Sequence, residues 1–302
     1  MVTIDASTQL CAVIGNPVAH SLSPAMHNAA FAAAGLNWVY LAFQVEDVAA
    51  CLAGMRALRS FRGLSVTIPH KLSVMEHLDA VDPMARHVGC VNTITREGGR
   101  LVGSLTDGEG TLRAFHEAGV PLAGKRVLFL GAGGAVRAVA FAIAERETPG
   151  AVTILGRTLS RVEALASDLE GSTGATVSAG HWPTALAEAI SCHDVVIQGT
   201  PVGMYAHGAG ESCVPSGLLR AEQVVFDMVY RPLKTRLIEE AEAAGCRTIL
   251  GLEMLVNQAA LQFERWTGIG APREVMRAAV VEQLGSTGSA WAGAKGSGGG
   301  PG

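Results

Sequence analysis

The stretch Arg126-Val-Leu-Phe-Leu-Gly-Ala-Gly-Gly-Ala-Val-Arg-Ala138 decides the fold. An apolar run, a glycine turn and a helix-forming run follow one another, which is the outline of a dinucleotide-binding βαβ unit. Gly131, Ala132, Gly133, Gly134 and Ala135 leave little side chain at the turn. Backbone N–H groups there can approach a pyrophosphate at a helix N-terminus, where the dipole favours negative charge. No Gly-Lys-Ser/Thr follows, which argues against a P-loop. About 125 residues precede the turn, enough for a separate domain that brings a substrate to the cofactor.

Glycine pairs also make ordinary turns, so the context has to carry the reading. A second apolar strand ends in Ile154-Leu-Gly-Arg157-Thr158-Leu-Ser-Arg161. An NAD enzyme usually places an acidic residue here to accept from the ribose 2′-hydroxyl, whereas a guanidinium suits a 2′-phosphate. The expected cofactor is therefore NADP. Two solvated arginines at a helix start are the plainer alternative, but cations there oppose the helix dipole and need a reason.

Bulk properties bound the rest. The 302 residues suffice for two domains with real cores, and 49% hydrophobic content with a net charge of −4 describes a globular chain too acidic for nucleic acid. No apolar run reaches the ~18 residues of a membrane span. The N-terminus carries Asp5 and no basic n-region, so a cytoplasmic location is expected. The six cysteines lie far apart without a C-x-x-C, and read as buried thiols. The nine histidines show no paired ligand spacing, so no metal is expected.

Strand-like and helix-like segments alternate before the turn: strands at Leu10–Gly15, Trp38–Val45 and Gly63–Ile68, helices at Ala25–Ala34 and Val48–Leu58. Ser23-Pro24 reads as a cap and an N1 proline. Asn92-Thr-Ile-Thr leads to a Gly98-Gly99 turn, and Thr106-Asp107 starts a helix reaching about Ala118. The alternation implies a mostly parallel sheet. After the turn, strands are expected at Val152–Leu155, Asp194–Ile197, Val224–Asp227 and Thr248–Leu250. The helical runs Met254–Trp266 and Arg273–Leu284 are too long for one more crossover and are expected to return to the first domain. The fold class is thus α/β. Residues 1–106 with 254–284 form a substrate domain, 107–253 a Rossmann-type NADP domain, and 285–302 a disordered tail rich in Gly, Ser and Ala.

Hydride transfer at an alcohol needs a group that takes and returns the hydroxyl proton. Lys71 stands just past the carboxyl end of a predicted strand, the edge where ligands collect in open α/β sheets. A partly desolvated lysine near a carboxylate can carry that proton, and Asp107 leads into the cofactor half. From spacing alone, a surface lysine and a plain helix N-cap are the simpler readings. Ser21 and Ser23 more often cap a helix or bind a polar ligand than act as nucleophiles, since no nucleophile elbow is present. Tyr230 and Lys234 match Y-x-x-x-K, but Pro232 breaks the turn that would align them. His20, His27 and His70 read as structural or surface residues.

Taken together, these motifs resemble the shikimate dehydrogenase family over nearly the whole chain. Gly15-Asn-Pro-Val-Ala-His-Ser-Leu-Ser-Pro24 is similar to the family's opening motif, which implies that Ser21 and Ser23 bind a substrate carboxylate. Val66-Thr-Ile-Pro-His-Lys71 resembles the segment with the catalytic lysine, and Thr106-Asp107-Gly the one with its aspartate partner. The resemblance implies substrate contacts for Thr67, Asn92, Tyr230 and Gln258. It implies cofactor contacts for the Gly131–Ala135 turn, Arg157, Thr158, Arg161 and Thr200, with Met228 and Gly251 near the nicotinamide.

The implied activity is reversible, NADPH-dependent reduction of 3-dehydroshikimate to shikimate in aromatic amino acid biosynthesis, in the cleft of a two-domain α/β protein. The expected partners are a small hydroxy acid and a second copy of the chain as a homodimer, with neither nucleic acid nor membrane. The sequence also departs from the family pattern: Ser65 stands where Asn is usual, Leu105 before Thr106-Asp107, Gly156 before Arg157, and Gln198-Gly199 before Thr200. Leu105 is expected close to the acid–base pair, where it would alter the accepted hydroxyl pattern. A paralogue acting on quinate or an amino-shikimate, with NAD in place of NADP, stays open, as does a non-catalytic sensor of dinucleotide or shikimate.

Overall fold

The computed structural model describes residues 4–205, 208 and 210–292. The first run of elements is β1 (Gln9–Gly15), α1 (Ser23–Ala33), β2 (Trp38–Gln44), α2 (Val48–Ala57) and β3 (Phe61–Val66), followed by a 3-10 turn at Ser73–His77. Then come β4 (Ala80–Val81), α3 (Pro83–Val88), β5 (Thr93–Glu97), β6 (Arg100–Ser104) and α4 (Asp107–Glu117). The second run is β7 (Arg126–Leu130), α5 (Gly134–Arg146), β8 (Ala151–Gly156), α6 (Leu159–Thr173), β9 (Val177–His181) and α7 (Leu186–Cys192). It continues through β10 (Val195–Gln198), β11 (Val224–Asp227), α8 (Arg236–Ala243) and β12 (Arg247–Leu250). Two long helices, α9 (Gly251–Thr267) and α10 (Arg273–Ala292), close the described chain.

The second sheet has the order β12-β11-β10-β7-β8-β9, and every pairing in it is parallel. Its central strands are apolar along both faces because helices cover both sides. The strand order reverses between β7 and β10, which opens a crevice beyond their carboxyl ends. Gly131 sits in that crevice with φ +111, where a Cβ would stand 3.2 Å from the Gly199 backbone. Only glycine combines this backbone conformation with so close an approach.

The first sheet, ordered β2-β1-β3-β5-β6-β4, is less parallel than the alternation of elements suggested. Parallel pairings join β1 to β2 and β3, and β4 to β6, but β5 runs antiparallel to both β3 and β6. The cause is local: Gly98 and Gly99 adopt φ of 56 and 87, and a two-residue turn of that kind joins neighbouring strands as a hairpin.

The C-terminal helices return to the first sheet as expected. Leu252, Val256, Ala259 and Phe263 of α9 and Met276 and Val280 of α10 share one buried cluster with Met26 and Phe31 of α1 and Val13 of β1. Trp266 donates its indole N–H to the Ile94 carbonyl at 3.0 Å, anchoring the end of α9 on β5. Helices α4 and α9 approach closely at Gly110, where a Cβ would lie 2.6 Å from the Gln258 nitrogen.

Several local expectations are corrected. Ser23 is inside α1, and Leu22 occupies the cap position. Ser21 instead accepts from the Ser23 N–H through its hydroxyl at 3.3 Å. Edge strand β9 escapes the sequence patterning because its residues are mostly exposed and polar or small. The segment from Gly285, expected as a disordered tail, continues α10 to Ala292, since an established helix extends cheaply where no proline intervenes. Residues 293–302 of that segment lie outside the described residues. Cys11, Cys90, Cys213 and Cys246 are buried thiols, whereas Cys51 is half-buried and Cys192 exposed.

Candidate active site

A cavity of about 240 Å³ opens between the carboxyl end of the first sheet and the first turn of α9. Lys71 reaches it from the loop after β3, and Asp107 from the first turn of α4. The Lys71 Nζ donates to Asp107 Oδ2 at 2.6 Å, with side-chain exposures of 23% and 10%. A carboxylate in a first helical turn is favoured by the dipole. Burial pulls the Lys71 ammonium down, but the charge and hydrogen bond of Asp107 outweigh it, with Cys90 and Tyr230 adding to the same side. The net result holds Lys71 above its ordinary value. Burial pushes the neighbouring Cys90 thiol up to about 11, so it stays protonated.

Asn92 fixes the other carboxylate oxygen. Its Oδ1 accepts from the Thr106 N–H and the Thr93 hydroxyl, both at 2.8 Å. That leaves Nδ2 to donate to Asp107 Oδ1 at 2.8 Å and to Thr106 Oγ1 at 3.0 Å. Thr106 stands at the cap position of α4, yet its hydroxyl faces Asn92 and makes no cap bond. The residue expected to cap the helix thus braces the acid–base pair.

Every residue expected to contact substrate lines this cavity: Ser21, Ser23, Thr67, Asn92, Tyr230 and Gln258. So do Ala135, Met228 and Gly251 of the expected cofactor set. Gly251 is pinned there because a Cβ would lie 2.7 Å from the Met228 carbonyl oxygen. Three residues before Tyr230, the buried Asp227 carboxylate accepts from the Val229 N–H at 3.0 Å and the Thr235 hydroxyl at 2.6 Å. Lys234 turns away to pair with Glu242 at 2.9 Å, so the Y-x-x-x-K spacing is accidental.

A second cavity of about 230 Å³ lies at the switch point. Gly131, Ala132 and Gly133 line one side, Arg157, Thr158 and Arg161 another, and Thr200 a third. An added Cβ at Gly133 or Gly134 would meet nothing within 4 Å, so bare backbone faces open space at the N-terminus of α5. Arg157 and Arg161 pair with no carboxylate among the described residues. Two uncommitted guanidiniums beside a helix N-terminus fit a dinucleotide carrying an extra phosphate.

One expectation fails and several residues are new. Leu105 does not reach the cavity: it is 3% exposed and packs in the core with Leu112 and Phe115. The next residue, Thr106, turns its hydroxyl to Asn92 instead. The expected effect of Leu105 on substrate choice therefore falls away. Ser65, noted in the sequence only as a departure from the family pattern, lines the cavity; Gln262 beside it was not singled out from sequence, nor was Thr93 behind them. Gln262 follows Gln258 by one helical turn, and that spacing on α9 was the available signal. His27 is fully buried against Tyr40, with ring centroids 4.4 Å apart, and His70 bonds the Val45 carbonyl at 2.8 Å. Both are structural, while His20 lies exposed at the cavity rim. No group of residues able to hold a metal occurs, and no helix is long and apolar enough to cross a membrane, among the described residues.

Comparison with known proteins agrees with this geometry. Residues 13–94 match the family model for the shikimate dehydrogenase substrate binding domain, 114–209 that for shikimate / quinate 5-dehydrogenase, and 251–281 that for the shikimate 5′-dehydrogenase C-terminal domain. The NADP(+) shikimate dehydrogenase of Moorella thermoacetica is 46% identical over 290 residues, covering 95% of this chain and 97% of that protein. The shikimate 5-dehydrogenase of Thermus thermophilus, solved with NADP(H) and shikimate, is 39% identical. It superposes with a TM-score of 0.80 over 91% of this chain and 99% of its own. The Listeria monocytogenes shikimate 5-dehydrogenase, solved with shikimate and NAD, is 37% identical, with a TM-score of 0.85 over 91% and 96% of the two chains.

Proposed function

This chain belongs to the shikimate dehydrogenase family, and from that premise we propose how it works as an NADP-dependent shikimate dehydrogenase. It interconverts 3-dehydroshikimate and shikimate, and the 2.6 Å Lys71–Asp107 pair in the cavity carries the reading. NADPH supplies the hydride when bound.

The residues of the chain do the rest. Ser21 and Ser23 hold the substrate carboxylate with hydroxyl donors, while Thr67 and Gln258 hold ring hydroxyls and Asn92, its amide committed to Asp107 and Thr106, packs against the substrate. In the reducing direction the carbonyl oxygen faces Lys71 Nζ. As its carbon is reduced, that oxygen gains an electron pair and takes a proton from the ammonium, leaving a neutral amine. In the oxidising direction the amine takes the hydroxyl proton back. Asp107 orients Nζ and offsets its charge in both directions, a proton-transfer arrangement worth about 10²–10⁴-fold in rate. Met228 and Gly251 close the cavity beside the reacting carbon and keep water from it. Arg157 and Arg161 bind the 2′-phosphate.

The purified chain mixed with shikimate and NADP⁺ is expected to develop the absorbance of reduced nicotinamide, and Lys71→Ala to lose it. Binding of both ligands without reduction would instead favour a sensor.

A further inference from the structure

Behind the cavity lies a buried line of polar side chains that the proton-transfer step does not use. Tyr40 donates its hydroxyl to Ser65 Oγ at 2.6 Å, and Ser65 donates to Gln262 Oε1 at 2.7 Å. Gln262 Nε2 donates to Thr93 Oγ1 at 3.0 Å, and the Thr93 hydroxyl donates to Asn92 Oδ1 at 2.8 Å. Asn92 Nδ2 then donates to Asp107 Oδ1 at 2.8 Å. All these residues are buried, Gln262 with 2% exposure.

The geometry supports one consistent set of donors. Burial keeps the Tyr40 phenol protonated, so it has a proton to donate to Ser65 Oγ. Ser65 accepts from Tyr40 and so spends its one proton on Gln262, which fixes which end of the Gln262 amide faces Thr93. Thr93, accepting from Gln262, spends its own proton on Asn92. The donors therefore run one way, from Tyr40 to the Asp107 carboxylate, and such chains polarise their members cooperatively. Gln262 also donates to the Asn92 carbonyl at 3.3 Å, so it reaches that residue's backbone directly and its side chain through Thr93.

We propose that Gln262, acting through Thr93 on Asn92, is a positioning residue that sets the orientation of Asp107 toward Lys71. The inference rests on the roles of Lys71 and Asp107 given above. Ser65, at the motif position where the family usually carries an amide, is served here by the Gln262 amide from α9. Because α9 also bears Gln258 and begins at Gly251, one helix aligns the acid–base pair together with the substrate and nicotinamide contacts.

Gln262→Met keeps the side-chain length and removes both hydrogen-bonding ends, and Thr93→Val removes the hydroxyl at constant shape. Each is expected to lower kcat for reduction about 5- to 20-fold, the scale of a small misplacement of a reacting group, with KM for 3-dehydroshikimate within about twofold. The double variant is expected to be no slower than the slower single one, since both cut the same chain. The alkaline limb of the kcat–pH profile is expected at lower pH, because Lys71 loses part of the support of Asp107 while Cys90 and Tyr230, its other titratable neighbours, are unchanged. A structural role alone would lower the melting temperature and leave that limb in place. Unchanged kcat in the folded variants, or losses that multiply in the double variant, overturns the inference. Lys71→Ala assayed alongside separates the two readings: if it too turns over normally, the assignment of the acid–base pair fails first.

Discussion

Lys71 Nζ lies 2.6 Å from Asp107 Oδ2 although the two residues are 36 positions apart. The fold closes that distance because β3 delivers Lys71 at its carboxyl end while α4 begins beside the same edge. Lys71→Ala is expected to lower kcat at least ~100-fold with a smaller change in KM, as for loss of a general acid–base group. Asp107→Asn removes the charge that holds the ammonium above its ordinary value, and burial then pulls it down against only the smaller influence of Cys90 and Tyr230. The alkaline limb of the rate profile for reduction, where the ammonium is the acid, is expected to move to lower pH in that variant. Steady-state assays across pH check both, and an unmoved limb would show that Asp107 does not support the Lys71 charge.

That pair was legible in sequence because both members sit in short motifs at element ends. The glycine turn was legible for a similar reason: Gly131 has to adopt φ +111 beside Gly199, and no other residue type suits the place. What was not legible depends on which way a side chain points. Leu105 and Thr106 are adjacent in sequence, but one packs in the core and the other braces Asn92. Ser65 and Gln262 stand 197 positions apart and meet only because α9 returns to the first sheet. The antiparallel β5 follows from Gly98-Gly99, a turn visible in the sequence whose consequence for strand direction outweighed the alternation of elements.

Arg157 lines the second cavity beside Gly131 and Thr158 with no carboxylate paired to it among the described residues. Arg157→Ala is expected to weaken NADP⁺ about 10- to 100-fold, the range of a lost charge-assisted phosphate contact, and NAD⁺ far less. Titration of both cofactors into the wild type and the variant measures this. Equal loss for the two would show that Arg157 does not read the 2′-phosphate.

Gly110→Ala tests how tightly α4 and α9 must pack. The added methyl would stand 2.6 Å from the Gln258 nitrogen and 2.8 Å from its Cα, and both are backbone atoms of a helix that cannot yield locally. The expected cost is about 1–3 kcal/mol of stability, as for an overpacked core. Separation of the helices also moves Asp107 relative to Gln258, so kcat is expected to fall in the fraction that remains folded. Urea unfolding and assays on the same preparation give the two effects. A variant as stable and as active as the wild type would mean that the contact is not close in solution.

Asp227 is fully buried at the end of β11, and burial pushes its carboxyl from 3.8 up to about 6 against the opposing bonds from Thr235 and Val229. A carboxyl whose folded value is raised binds its proton more tightly in the folded state than in the unfolded one. Its contribution to stability is therefore fully present below about 3.8 and is lost as the pH rises through about 6. Integrated from about pH 4.5 to about 7, that loss is about 2 kcal/mol at ~1.4 kcal/mol per pH unit. Asp227→Asn removes the titration, so the unfolding free energy of the wild type relative to this variant is expected to fall by that amount across the interval. Denaturant unfolding at several pH values supplies the difference curve. A flat curve, or one that rises with pH, would mean that the carboxyl is already ionised in the folded protein in mildly acidic solution. The hydroxyl of Thr235 and the Val229 N–H would then be holding a buried charge, and not a neutral acid.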